Sequence, residues 1–163
     1  MVKIVDKHSK WDKIVKNSEP LKKGPVVGVG YPENKVENSV IQYAAYNHFG
    51  VFNFSSGKKP ERIPPRPFLA VTIDTNKAKI FNLKKKLGAQ LLAGQITPDK
   101  ALNILGAAVT GMVKQTLSGS FFQQNVPNAL STIKIKGSSK PLINHGIMRN
   151  STTWQVFPNG KPE

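Results

Sequence analysis

Apolar positions recur along this chain in several distinct rhythms, and each rhythm predicts an element. Ile4, His8, Trp11 and Val15 fall at steps of four, three and four, with Lys3, Lys7 and Lys10 on the neighbouring face. This spacing predicts a short amphipathic helix that ends at Glu19-Pro20. Trp11 is expected to cover the edge of the core, with docking on a partner subunit or on an anionic membrane as the sharper alternatives. A turn at Lys23-Gly24-Pro25 leads into Val26, Val27 and Val29, a β-branched run that predicts a strand. The Gly28-x-Gly30 pair within it lacks the third glycine and the following helix of a nucleotide loop, and reads as close backbone contact inside a strand. Asn38 to Phe49 is rich in apolar and aromatic residues, but its periodicity fits a strand or a helix equally. Residues 51–62 carry Ser55-Ser56-Gly57-Lys58-Lys59-Pro60 and no sustained pattern, as expected of an exposed loop or an extended hairpin tip.

The prolines of Ile63-Pro64-Pro65-Arg66-Pro67-Phe68 hold the chain extended until a helix opens at Pro67. From there to Ala93, Ile80, Leu83, Leu87 and Leu91 keep a helical stripe beside the solvated Lys84, Lys85 and Lys86, with a break expected near Asp74 to Asn76. Thr97-Pro98-Asp99 is a helix start of unusual completeness: a capping hydroxyl, a proline at the first helical position and an acid facing the positive end of the helix dipole. Ala101, Leu102, Leu105, Ala108, Val109, Met112, Val113 and Leu117 continue that helix with a wide apolar stripe. Gly106 and Gly111 within it point to close helix packing, to subunit contact or to local tolerance. Phe121 to Asn128 reads as a loop, Ala129 to Lys136 as a short segment, Leu142 to Asn150 as one or two helical turns, and Ser151 to Phe157 as a closing strand. The fold class expected from these elements is α+β, a small antiparallel sheet packed by two or three helices. It forms one domain over 1–163, with a helical extension at 1–20 and a frayed tail at 158–163.

Composition narrows the function. The chain has 163 residues, 39% hydrophobic, enough for one core. It contains no cysteine, which removes disulfides, thiolate nucleophiles and Cys-ligated metals. No apolar run reaches the length of a membrane span, and the amino terminus shows no signal-peptide pattern. His8, His48 and His145 stand far apart, the nine carboxylates form no close pair in an apolar stretch, and no nucleophile elbow or phosphate loop is present. Neither catalysis, a metal nor a cofactor is expected.

The net charge of +15 is the most unusual bulk property and raises a second class of function, binding to a polyanion. Lys58, Lys59, Lys84, Lys85 and Lys86 are the candidate contacts, and Tyr43, Tyr46, Phe49, Phe52 and Phe54 the candidate stacking residues, with core or interface as their plainer role. Only Arg62, Arg66 and Arg149 are arginines, the other 21 basic residues being lysines, whereas phosphate and base recognition draws on the guanidinium fork. A solvated lysine surface is the plainer reading.

Four pieces of the sequence, taken in order, carry a resemblance. Tyr43-Ala44-Ala45-Tyr46-Asn47-His48-Phe49-Gly50 is followed by Ile63-Pro64-Pro65-Arg66-Pro67-Phe68-Leu69. Then come Pro127-Asn128 with Thr132-Ile133 and Lys136-Gly137-Ser138-Ser139, and last Pro141-Leu142-Ile143-Asn144-His145-Gly146. Together they resemble the neck and tail-completion proteins of tailed bacteriophages, including tail terminators and the virion-morphogenesis proteins of Mu-like phages. The resemblance spans roughly residues 26–156. His48 stands where that family usually has Glu, and Asn144-His145 where it has Asp-Thr, so no role of those acidic and hydroxyl groups is carried over. The resemblance implies a non-enzymatic virion protein at the head–tail junction, assembled in the host cytoplasm into a ring, six-fold in the expectation, with other neck or tail proteins as partners and genomic DNA passing through. A ring requires a heterologous interface. Ile63, Pro64, Pro65, Arg66, Pro67 and Phe68, together with Trp11, are the candidate contacts. Arg66 is expected either to pair across that interface or to cap a group within its own subunit.

Overall fold

The structure, a computed structural model, describes residues 9–53, 61–143 and 146–160. Its frame is a helical hairpin. α3 (Phe68–Leu92) and α4 (Pro98–Ser118) run antiparallel, with Leu87 and Leu91 packed on Ala101 at one end and Thr72 bonded to Thr116 at the other. The turn between them follows from its residues: Thr97 caps α4 by accepting from the Lys100 N–H at 3.3 Å, and Pro98 opens the first turn.

A sheet lies across α4. β1 (Val26–Gly30) pairs antiparallel with β4 (Thr153–Phe157), Val26 opposite Phe157 and Gly30 opposite Thr153, so the first and last strands in sequence meet. The sheet approaches so closely at Gly106 that a Cβ there would stand 2.4 Å from Trp154 Cδ1 and 2.9 Å from Val27 Cγ2. The expectation of close packing at Gly106 holds, whereas Gly111 faces open space. The Gly28 contact is also one of packing, against the ring of Phe157.

α2 (Asn38–Phe49) and α7 (Ile147–Ser151) close the other side of the core, where Ala44, Phe68, Val113, Leu117, Phe122 and Met148 are buried together. The architecture is α+β as expected, mainly helical, with two separate two-stranded antiparallel sheets. The second sheet is a hairpin of β2 (Val51–Asn53) and β3 (Glu61–Ile63), so of the two readings of residues 51–62 the hairpin is the one found, with strand at both ends. Lys58 and Lys59 lie outside the described residues.

Three further expectations are corrected. α3 passes through Asp74 to Asn76 without a break: no Gly or Pro interrupts it there, and the Thr72 hydroxyl and Asn76 Nδ2 bond back to the Phe68 and Thr72 carbonyls instead of turning the chain. The segments read as a loop and a short piece contain α5 (Phe121–Asn125) and α6 (Leu130–Lys136). The expected amino-terminal helix is present as α1 (Ser9–Ser18), tied to the end of α3 by Asn17 Nδ2 donating to the Leu92 carbonyl at 3.2 Å. Trp11 on it does not cover the core, being 68% exposed.

Candidate partner-docking surface

α2 turns two kinds of residue in opposite directions. Ala44 and Asn47, three apart, face the core, and Tyr43, Tyr46 and Phe49, also at steps of three, face solvent. Phe49 is 77% exposed. The inward Asn47 is fully engaged: Nδ2 donates to the Tyr43 carbonyl at 2.8 Å, and its own carbonyl accepts from the Arg66 N–H at 2.8 Å. Gly50 ends the helix at φ +77°, and a Cβ there would lie 2.8 Å from the Ile63 carbonyl and 2.9 Å from the Pro65 nitrogen. The proline-rich segment is thus clamped to the carboxyl end of α2, and the aromatic stripe adjoins Ile63 and Pro65.

Arg66 turns inward from that segment. It is 5% exposed, its Nε donating to the Val126 carbonyl at 3.0 Å and its Nη2 to the Pro127 carbonyl at 3.2 Å and to Asn128 Oδ1 at 3.3 Å. The planar fork joins three consecutive residues from two separate nitrogens, a geometry that the single nitrogen of an ammonium does not match. Burial pulls the guanidinium below its ordinary pKa, with Tyr43 opposing. Burial, and then Arg66 itself, likewise lowers Lys136. Three of the four sequence pieces singled out above therefore meet at one arginine. The fourth sits beside them: Leu142 is buried in the same core as Phe68, at φ +61° in a tight turn closed by the Ile143 N–H on the Pro141 carbonyl at 2.7 Å.

This geometry sorts the candidate contacts. Arg66 is committed within its own chain, the second of the two roles expected of it, and Phe68 is a core residue at 1% exposure. Ile63, Pro65 and Pro67 remain outward and Pro64 is half-buried. Trp11 is not part of this surface: α1 is tied to the Leu92 end of α3, whereas Phe68 starts it, and 25 helical residues span roughly 36 Å. Lys84, Lys85 and Lys86 lie exposed on the later turns of α3, remote from Ile63.

His48 occupies the junction between surface and core. Its ring meets Phe68 edge-on at 5.0 Å and Phe49 at 4.6 Å, and its buried Nδ1 has no hydrogen-bond partner among the described residues. Burial holds its pKa below the ordinary imidazole value.

A cleft of about 600 Å³ lies elsewhere, lined in part by Glu19, Pro20, Thr97, Pro98, Asp99 and Val156. The Glu19 carboxylate is already paired with Lys22 at 2.6 Å. The described residues bring together no cluster of three metal-ligating side chains, and no described helix is long and apolar enough to cross a membrane.

Comparison with protein families, with characterised proteins and with solved structures finds no match for this chain.

The exposure of Tyr43, Tyr46 and Phe49 was not decidable from the sequence, because an aromatic stripe at helical spacing reads equally as core. The commitment of Arg66 to Val126, Pro127 and Asn128 joins positions about sixty residues apart and has no local signal.

Proposed function

We propose that this protein is a structural component of the neck of a tailed bacteriophage, part of a tail-completion ring that joins head to tail. The observation that carries this reading is the meeting at Arg66 of sequence pieces that resemble that family. Asn47 binds the Arg66 backbone, the guanidinium binds Val126 to Asn128, and Leu142 shares a core with Phe68. The outer side of that junction carries Tyr43, Tyr46, Phe49 and Ile63, all exposed. Large exposed apolar patches mark interaction surfaces. In this reading the stripe is the surface that meets a neighbouring subunit or neck protein, and the ring is six-fold.

The reading is tested by deleting the gene from its phage. Separate filled heads and separate tails in the lysate, with the protein detected by mass spectrometry in wild-type virions, support it. Normal virions from the deletion, or absence of the protein from purified particles, overturn it.

A further inference from the structure

The second exposed apolar feature is α6, which is unlike the aromatic stripe in its charge. Leu130 and Ile135 are 79% and 90% exposed, while Ile133 and Lys136 are turned inward. At 100° per residue, the outward side of this short helix reads Leu130, Ser131, Lys134 and Ile135: two aliphatic side chains flanking an ammonium group. Lys140 is exposed in the segment that follows, its backbone carbonyl bonded to Lys136 Nζ at 2.7 Å. From Lys100 to Pro162 the sequence contains seven basic residues and no Asp or Glu, so α6 stands in a region without acidic side chains of its own.

The helix is also held firmly. Arg66 anchors the three residues at positions 126–128 that lead into it. Gln123 Nε2 donates to Ser139 Oγ at 3.2 Å, and Lys136 Nζ donates to the Lys140 carbonyl at 2.7 Å, tying down the segment that leaves it. Gly137 at φ +66° closes the last turn. A surface fixed in this way loses little further freedom when it is covered.

We infer that the outward face of α6 is a docking site for an acidic amphipathic segment of a protein partner, whose apolar side chains cover Leu130 and Ile135 and whose carboxylates meet Lys134 and Lys140. Charge selects this occupant. A second copy meeting this face with its own α6 would set lysines against lysines. Nucleic acid would answer the lysines but leave the two aliphatic side chains against phosphate, and the outward face of α6 presents neither arginine nor an aromatic ring for a base. The inference stands apart from the neck reading, since it concerns the chemistry of a different face.

The test is a selection of a random 16-residue peptide display library on the full chain at physiological salt, repeated on the double variant Leu130→Ser/Ile135→Ser. Both replaced side chains are exposed, and an unchanged melting temperature establishes that the variant is folded. The expected result is enrichment of peptides that combine Leu, Ile or Phe with Asp and Glu, whose synthetic versions bind the double variant at least about tenfold more weakly. They also lose affinity when their acids are replaced by amides. No enrichment, enrichment of sequences without acids, or binding unaffected by the double variant would overturn the inference. So would a 20-base-pair DNA duplex or a phosphatidylglycerol vesicle whose binding at the same salt depends on Leu130 and Ile135, because either assigns the face to another class of partner.

Discussion

Trp154 lies against Gly106 so closely that the indole occupies the place of a side chain on α4, while its Nε1 donates to Asn103 Oδ1 at 3.0 Å one turn earlier. This contact seats the β1–β4 sheet on the helical hairpin and joins the first and last strands to the middle of the chain. Gly106→Ala is expected to destabilise the protein by about 2 kcal/mol, because overpacking against the indole outweighs the gain in helix propensity. Gly111→Ala, which meets open space on the same helix, is expected to stabilise it by about 0.5–1 kcal/mol. Urea denaturation of the two variants checks the pair, and equal effects would contradict the packing account.

Arg66 gives a second expectation. Arg66→Ala leaves the Val126 and Pro127 carbonyls without their donor and is expected to cost about 3 kcal/mol, as for hydrogen bonds to a charged group. Arg66→Lys should recover only part of this, because one ammonium nitrogen cannot stand at the positions of both Nε and Nη2. A loss below about 1 kcal/mol on removing the guanidinium would mean that the junction does not depend on it.

These two residues also show how far the sequence could be read. The β-branched strands and the capped start of α4 were legible because each depends on neighbours a few residues away; Gly106 was legible as a place of close packing, but its partners Trp154 and Val27, far along the chain, were not. Arg66 was legible as an arginine in a rigid loop, but its direction was not, since its acceptors lie at Val126 to Asn128. The same holds for Trp11, whose spacing suits a core-facing helix but whose side chain stands in solvent, because α1 meets α3 through other residues such as Asn17. α2 was ambiguous for a physical reason: a helix with aromatic residues on its exposed side and Asn47 on its buried side inverts the usual pattern. α6 gave no warning, because Leu130, Ile133 and Ile135 do not share one helical face.

His48 supplies a pH dependence. Burial keeps the folded imidazole neutral to lower pH than in the unfolded chain, so below about pH 6.5 the unfolded state takes up a proton that the folded state does not. Stability is therefore expected to decrease as pH falls below about 6.5, by at most about 1.4 kcal/mol per pH unit from this group, until the folded pKa is reached. His48→Phe, which keeps a ring against Phe68 and removes the proton site, should flatten this part of the curve. Superimposable stability profiles for the two proteins between pH 5 and 7 would contradict it.

The aromatic stripe separates stability from assembly. Tyr43→Ser and Phe49→Ser alter exposed side chains and are expected to change unfolding free energy by no more than about 0.5 kcal/mol each. In a phage lacking the wild-type gene, the double variant should nevertheless fail to restore joined particles, as counted by plaque titre and negative-stain microscopy. Full restoration would remove the stripe from the docking surface.

The central claim is tested most directly by cryo-electron microscopy of intact virions, with this sequence fitted into the neck density. The account expects a closed ring of this chain at the head–tail junction, with Tyr43, Tyr46, Phe49 and Ile63 at a contact with a neighbouring subunit or neck protein. A neck whose density contains no copy of this chain would contradict it.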